Sequence, residues 1–232
     1  MNTRLAIGAA CAILPLLGLA NERGLMAAAH RCDEHQVRYW LSNGVSPNAQ
    51  SSHGDRPLHF AAYQLTAGDG GDDDELDHRP SQPKDLQACK RIVVALKARR
   101  ADTEARNERG WTPLMVAAMN GHAPVVEGLL IARAKPDTHN PQNGRRAVHY
   151  AADFGEAEVI AILARRRADL DAQDRAGDTA LHATALSDQP KAARALLDAG
   201  ANRHARNNAG ETPLDVAQMW EHQEVAEILR KP

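Results

Sequence analysis

The sequence is poor in aromatic residues, with three Trp, three Tyr and two Phe among 232 positions. A large core centred on aromatic rings is thereby excluded, and an aromatic side chain left on the surface invites an individual explanation. Cysteine is scarce too, three in all, too few for a disulfide framework. No sign of charge dominates: 28 Lys and Arg stand against 30 Asp and Glu, without the concentrated basic face of a nucleic-acid binder. Also missing are the words HExxH, GxSxG, GxxxxGK[ST] and clustered CxxC, which carry common hydrolytic, phosphate-binding and metal chemistries. Eleven histidines are present, but neither they nor the cysteines form a local catalytic signature. The chain reads as a non-enzyme that needs no cofactor.

What is present begins at the N-terminus. Met1–Arg4 carries one positive side chain, and Leu5–Ala20 follows as LAIGAACAILPLLGLA without a charged residue. Sixteen residues containing Pro15 are short for a membrane span, which needs about 20, so no stable membrane insertion is expected. Gly18 and Ala20 put small side chains three and one positions before Asn21, the pattern of a secretory cleavage site. Residues 1–20 are therefore expected to be a signal peptide cleaved after Ala20, with a periplasmic or secreted mature chain. The alternatives are a buried helix of the fold, or a lipoprotein attached through Cys11, for which GAAC is a poor match. On the export reading two cysteines remain, Cys32 and Cys89, in a compartment where a disulfide persists.

The rest of the chain repeats itself. RGWTPLMVAAMNGHAPVVEGLL at 109–130 returns as GRRAVHYAADFGEAEVIAIL at 144–163, GDTALHATALSDQPKAARALL at 177–197 and GETPLDVAQMWEHQEVAEIL at 210–229. GDRPLHFAA at 54–62 is a further start, and NERGLMAAAH at 21–30 keeps the apolar spacing without the Thr-Pro. Asn21, Gly54, Gly110, Gly144, Gly177 and Gly210 mark the starts; every interval is 33 or 34 residues except the second, which is 56. Thr before Pro can cap a helix whose first turn accepts Pro. Paired alanines (Ala117 and Ala118, Ala151 and Ala152) let two helices approach closely, and Asn120-Gly121 or Phe154-Gly155 reverses the chain. Val159, Ile160, Ile162 and Leu163 then recur at helical spacing. No single unit can bury its apolar face alone, so the core is the stack itself.

This period and the TPLH-like words resemble the ankyrin repeat, and the resemblance covers residues 21–232. It implies an all-α repeat solenoid of six helix-turn-helix units joined by hairpin loops: 21–53, 54–109, 110–143, 144–176, 177–209 and 210–232. The long second interval is an insertion at 65–87, where other repeats turn at once into their second helix. Its centre is GDGGDDDELD at 68–77, with six of the chain's thirty carboxylates. Calcium binding is one reading of that stretch, but the spacing does not match a calcium loop; a solvated, self-repelling loop is the other. The resemblance assigns His59, His149 and His182 a structural role, hydrogen-bonding between repeats. The arginines at 99–100 and 165–167 fall at helix ends, where cations are favourable.

The resemblance also implies a module that binds another protein on a concave face, as an expected monomer. The two residues after each alanine pair, from His30-Arg31 to Met219-Trp220, are expected to line it. Among them Tyr63, Met119, Phe154, Leu186 and Trp220 form an apolar ladder, with Asn120 and Asp153 beside it; filling gaps between repeats is the alternative role. Trp111, at a hairpin position where Trp is common in the family, is a weaker candidate. Asp72, Asp73, Asp74 and Glu75 of the insertion complete the candidate partner-binding set. Two biological roles fit: an exported adaptor, or an immunity protein whose acidic loop plugs the basic site of a toxic enzyme. A structural role at the envelope, without a dedicated partner, is a third. Cys32 and Cys89 fall near one another in the alignment, so a disulfide at the base of the insertion is an open possibility, with the usual repeat spacing on the wide side for it.

Overall fold

The computed structural model describes residues 10–63 and 85–231, with side chains from residue 20 onward. Twelve helices and no strand occur among the described residues. They form six pairs: α1 (Ala10–His30) with α2 (Glu34–Ser42), α3 (Pro57–Ala62) with α4 (Leu86–Ala98), α5 (Pro113–Met119) with α6 (Ala123–Ile131), α7 (Ala147–Asp153) with α8 (Ala157–Arg165), α9 (Ala180–Leu186) with α10 (Pro190–Asp198), and α11 (Pro213–Met219) with α12 (Gln223–Arg230). First helices pack on first helices and second on second along the chain, so two rows of helices share one continuous core. This is an all-α repeat solenoid.

The local reasons are those written into the repeated words. Thr112 and Thr212 precede Pro at the first helical position, and each hydroxyl accepts from the backbone N–H three residues on, at 3.3 Å. Ala117, Ala118, Ala151 and Ala152 are fully buried, so the first-helix row packs through alanine. The second row supplies the larger apolar side chains, Ile92, Leu96, Leu129, Ile160, Leu163 and Leu196, all buried. The hairpins also bond to one another: Arg175 N donates to Asn143 O at 2.9 Å and Asn208 N to Ala176 O at 3.1 Å. Gly177 is required there. It sits at φ +79°, and a Cβ on it would lie 2.6 Å from the Asn208 backbone nitrogen.

The histidines form a second ladder between repeats. His59 Nδ1 accepts from Arg56 N at 3.1 Å, and its Nε2 faces Trp111 O at 3.0 Å. His149 repeats this between Arg146 N and Asp178 O, and His182 between Thr179 N and Glu211 O. An accepting Nδ1 places the proton on Nε2, so each ring donates to the carbonyl of the following hairpin. Burial holds the His59 and His149 rings below the ordinary histidine pKa. Repeat three breaks the series, because Met115 occupies the histidine position.

Three features depart from, or add to, the sequence reading. Helix α1 starts at Ala10 and passes through Ala20 and Asn21 without a break. Helix α4 starts at Leu86, with Asp85 accepting from Gln87 N and Ala88 N at 2.9 and 3.1 Å; the interruption therefore closes before position 87. Cys32 and Cys89 are joined by a disulfide, with Cα atoms 4.8 Å apart. Cys32 takes a left-handed turn conformation (φ 54°) just after α1, as the later repeats do at this turn, and its partner Cys89 is buried inside α4.

Candidate partner-binding face

The columns chosen from sequence lie at the C-terminal ends of the first helices, but their members have different fates. Phe154, Leu186 and Trp220 are exposed, at 55%, 48% and 57%. Met219, beside Trp220, is 62% exposed and joins them. Leu186 and Met219 are the last helical residues of α9 and α11, while Phe154 and Trp220 are the caps that follow α7 and α11. Since α7, α9 and α11 pack side by side, these side chains form a run over repeats four to six. Met119 is half-buried.

The other candidates are engaged within the fold. Tyr63 is half-buried against the core; its hydroxyl donates to Asp55 Oδ1 at 3.1 Å and accepts from Asn107 Nδ2 at 3.4 Å. Burial, reinforced by the Asp55 charge, pushes its pKa well above the usual tyrosine value. Trp111 packs against the core, donates from Nε1 to Tyr150 Oη at 3.1 Å, and lies under the Arg109 guanidinium at 5.1 Å. Asn120 Nδ2 reaches Ala62 O and Val116 O at 3.3 and 3.0 Å, tying repeat three to repeat two. Asp153 pairs with Arg145 at 2.6 Å, and Arg145 also faces Asp174 at 3.7 Å. Burial opposes the Arg145 charge, but the hydrogen bond that its guanidinium donates to Asp153, with the Asp153 and Asp174 charges, raises its pKa overall. Asp72, Asp73, Asp74 and Glu75 lie outside the described residues.

Sequence periodicity placed the columns but gave no sign of these tethers. Asn107 is 44 residues from Tyr63 and 52 from Asp55 along the chain, and only folding brings it to them. Met219 was legible as a groove position, and its exposure makes it the equal of Trp220. Among the described residues no cluster of three or more His, Cys, Asp or Glu side chains is placed to hold a metal ion. Nor is any helix among them long and apolar enough to cross a membrane. An open cleft between hairpins, lined in part by His139, Pro141, Arg146 and Arg175, is polar and separate from the apolar run.

Comparison with known proteins agrees with the architecture. A family model described as ankyrin repeats (3 copies) matches residues 82–174 and 163–232, and one described as ankyrin repeats (many copies) matches 25–66. The chain belongs to the ankyrin-repeat family, and is thereby a protein–protein interaction module. It is 38% identical over 143 residues to the mitochondrial disaggregase of Bos taurus, covering 60% of this chain and 20% of that protein. It is 30% identical over 221 residues to SH3 and multiple ankyrin repeat domains protein 2 of Homo sapiens, covering 87% of this chain and 12% of the relative. The B-cell lymphoma 3 protein homolog of Mus musculus is 29% identical over 194 residues, 84% of this chain and 38% of its own. The chain thus spans well under half the length of these relatives.

Proposed function

We propose that this protein is an exported, non-enzymatic ankyrin-repeat adaptor that binds one partner protein across the face carrying Phe154, Leu186, Met219 and Trp220. The observation that carries the proposal is the exposure of those four side chains on adjacent helices of an otherwise aromatic-poor chain. Large apolar groups left in water at one place mark an interaction site, and Trp in particular is favoured as a binding anchor. The acidic stretch at 68–77 follows Tyr63, itself at the equivalent position of repeat two, and so adds charge for steering a partner.

Export to the periplasm or beyond is supported by two further observations. The first buried residue of repeat one is Leu25, so cleavage after Ala20 leaves its core side chains in the mature chain. The buried Cys32–Cys89 disulfide suits an oxidising compartment. N-terminal sequencing of protein from the periplasm should begin at Asn21, with no free thiol by mass spectrometry. A cytoplasmic chain beginning at Met1 with reduced Cys32 and Cys89 would sink the export reading.

The binding reading is tested by affinity capture from an envelope extract, with and without residues 65–87. The expected partner is retained by the wild-type chain and lost by Phe154→Ala combined with Trp220→Ala. The immunity role is a second reading, favoured by the acidic stretch alone. A secreted toxic enzyme as the captured partner, encoded beside this chain, would select it over a general adaptor.

A further inference from the structure

The apolar run of repeats four to six has a charged border. On the side of the turn between helices stand Asp188, Glu221 and Glu224, all exposed, and none has a cation within ion-pair distance among the described residues. On the hairpin side Asp178 and Glu211 share one neutral partner, the Asn207 amide, at 2.9 and 3.1 Å. The arginines at that edge are turned away onto backbone: Arg175 donates to Pro141 O and Arg206 to Gly210 O. Lys191 at the start of α10 is the nearby exception in sequence. In repeats five and six the run therefore lies between two rows of carboxylates.

Two of those carboxylates occupy a demanding backbone position. Asp188 and Glu221 have φ of 50° and 60°, at the turn position held in repeats three and four by Gly121 and Gly155. Asp tolerates that backbone better than most residues with a Cβ, but Glu does not, so at Glu221 the charge is carried against the local preference for glycine.

Spacing selects the shape of the occupant. Packed helices lie about 8–10 Å apart, so anchors at the ends of α7, α9 and α11, whether the last helical residue or the cap beside it, recur at about that interval. Seven residues of an α-helix rise about 10.5 Å, which presents every seventh side chain on nearly the same face. In an extended strand about three residues cover the distance, and residues three apart point to opposite faces. We propose that the face receives a cationic amphipathic helix of the partner, apolar residues on Phe154, Leu186, Met219 and Trp220, and Lys or Arg toward Asp188 and Glu221. This inference rests on the assignment of that face as the binding site.

The test uses two labelled 18-residue helical peptides sharing one Leu/Phe face, flanked by Lys in one and by Glu in the other, titrated into the full chain by fluorescence anisotropy. The Lys peptide should bind at least tenfold tighter at low salt, and its advantage should shrink as salt screens the contact. Glu221→Lys should weaken the Lys peptide at least fivefold, whereas Glu108→Lys, an exposed change of equal charge on the hairpin between repeats two and three, should shift it less than twofold. Equal binding of both peptides, binding of neither, or equal effects of the two variants would overturn the proposal. If the cationic preference fails while Phe154→Ala with Trp220→Ala still abolishes capture of the cellular partner, the binding face stands and only its helical, cationic occupant falls. If that pair also leaves capture intact, both fall.

Discussion

Repeats one and two and repeats three to six follow the same sequence pattern but are fastened differently. In the first two the chain between Tyr63 and Asp85 is far longer than the ordinary turn, and α4 is held to the turn after α1 by the Cys32–Cys89 disulfide. The aromatic side chains of α3 and its cap turn inward there, unlike exposed Tyr39 on α2: Phe60 meets His30 and Tyr63 edge-on at 6.3 and 6.2 Å, and the Tyr63 hydroxyl is bound to Asp55. In the later repeats short turns hold each helix pair, the histidine ladder resumes in repeats four and five, and Phe154, Leu186, Met219 and Trp220 face water. At the C-terminal ends of the first helices, Tyr63 beside the interruption holds the stack together, while Phe154 and Trp220 of the regular repeats are free for a partner. Trp111 at a hairpin and Tyr150 of α7, bonded to one another, face inward.

The largest expected effect falls on the disulfide. Joining positions 57 residues apart restricts the unfolded chain by about 4 kcal/mol in the loop-entropy treatment. Cys32→Ser with Cys89→Ser should lower stability by roughly that amount in urea unfolding. Hydrogen exchange should place the loss in α1–α4 and leave α7–α12 protected; a uniform loss would erase the distinction between the two regions.

Acid should act next, through the histidine ladder. His59 and His149 have folded pKa values lowered mainly by burial, so the unfolded chain binds their protons first. Their contribution is complete above the unfolded value, about 6.5, and is lost as pH falls below it toward the folded values. The urea midpoint should therefore fall between pH 7.5 and pH 5.5. His149→Gln should reduce that pH dependence as well as stability at neutral pH, and an unchanged slope would refute the assignment.

A smaller gain is expected from repairing repeat three. Trp111 O, Asp178 O and Glu211 O each accept a hairpin N–H and a histidine, whereas Arg145 O accepts only from Asn140 N. Met115→His should supply the missing bond, worth about 1 kcal/mol, and raise the urea midpoint. A fall would mean that packing around fully buried Met115 outweighs the hydrogen bond. The smallest effect is a gain of at most about 1 kcal/mol from Arg133→Gly, which relieves a left-handed residue (φ 66°). Part of that gain is offset by the glycine's greater freedom in the unfolded chain and by the loss of a cation at a helix C-terminus.

The fold was legible because a local word fixes each unit: Thr-Pro starts a helix, an alanine pair permits close packing, and a glycine turns the chain. The columns of the binding face were legible for the same reason. Which members of a column are exposed was not, since Tyr63 is captured by Asp55 and Asn107 while Leu186, in the same column three repeats on, has an aliphatic side chain that can make no such bond and is exposed. The disulfide stayed open because ordinary repeat spacing is wide for it; Cys89 lies inside α4 and not at the turn, with its Cα 4.8 Å from that of Cys32. The start of α4 had a readable signal in Asp85, a favoured N-cap before Leu86. The passage of α1 through Asn21 had none, because an apolar run is compatible with both a leader and a helix.

The contrast between inward and outward aromatics is tested most directly by titrating the captured partner against two variants side by side. Phe154→Ala with Trp220→Ala should weaken binding at least tenfold with little change in the urea midpoint, as expected for exposed anchors. Tyr63→Phe should lower the midpoint, by removing the bond to Asp55, and leave the affinity unchanged. The reverse pattern, with affinity following Tyr63 and indifferent to Phe154 and Trp220, would contradict the account.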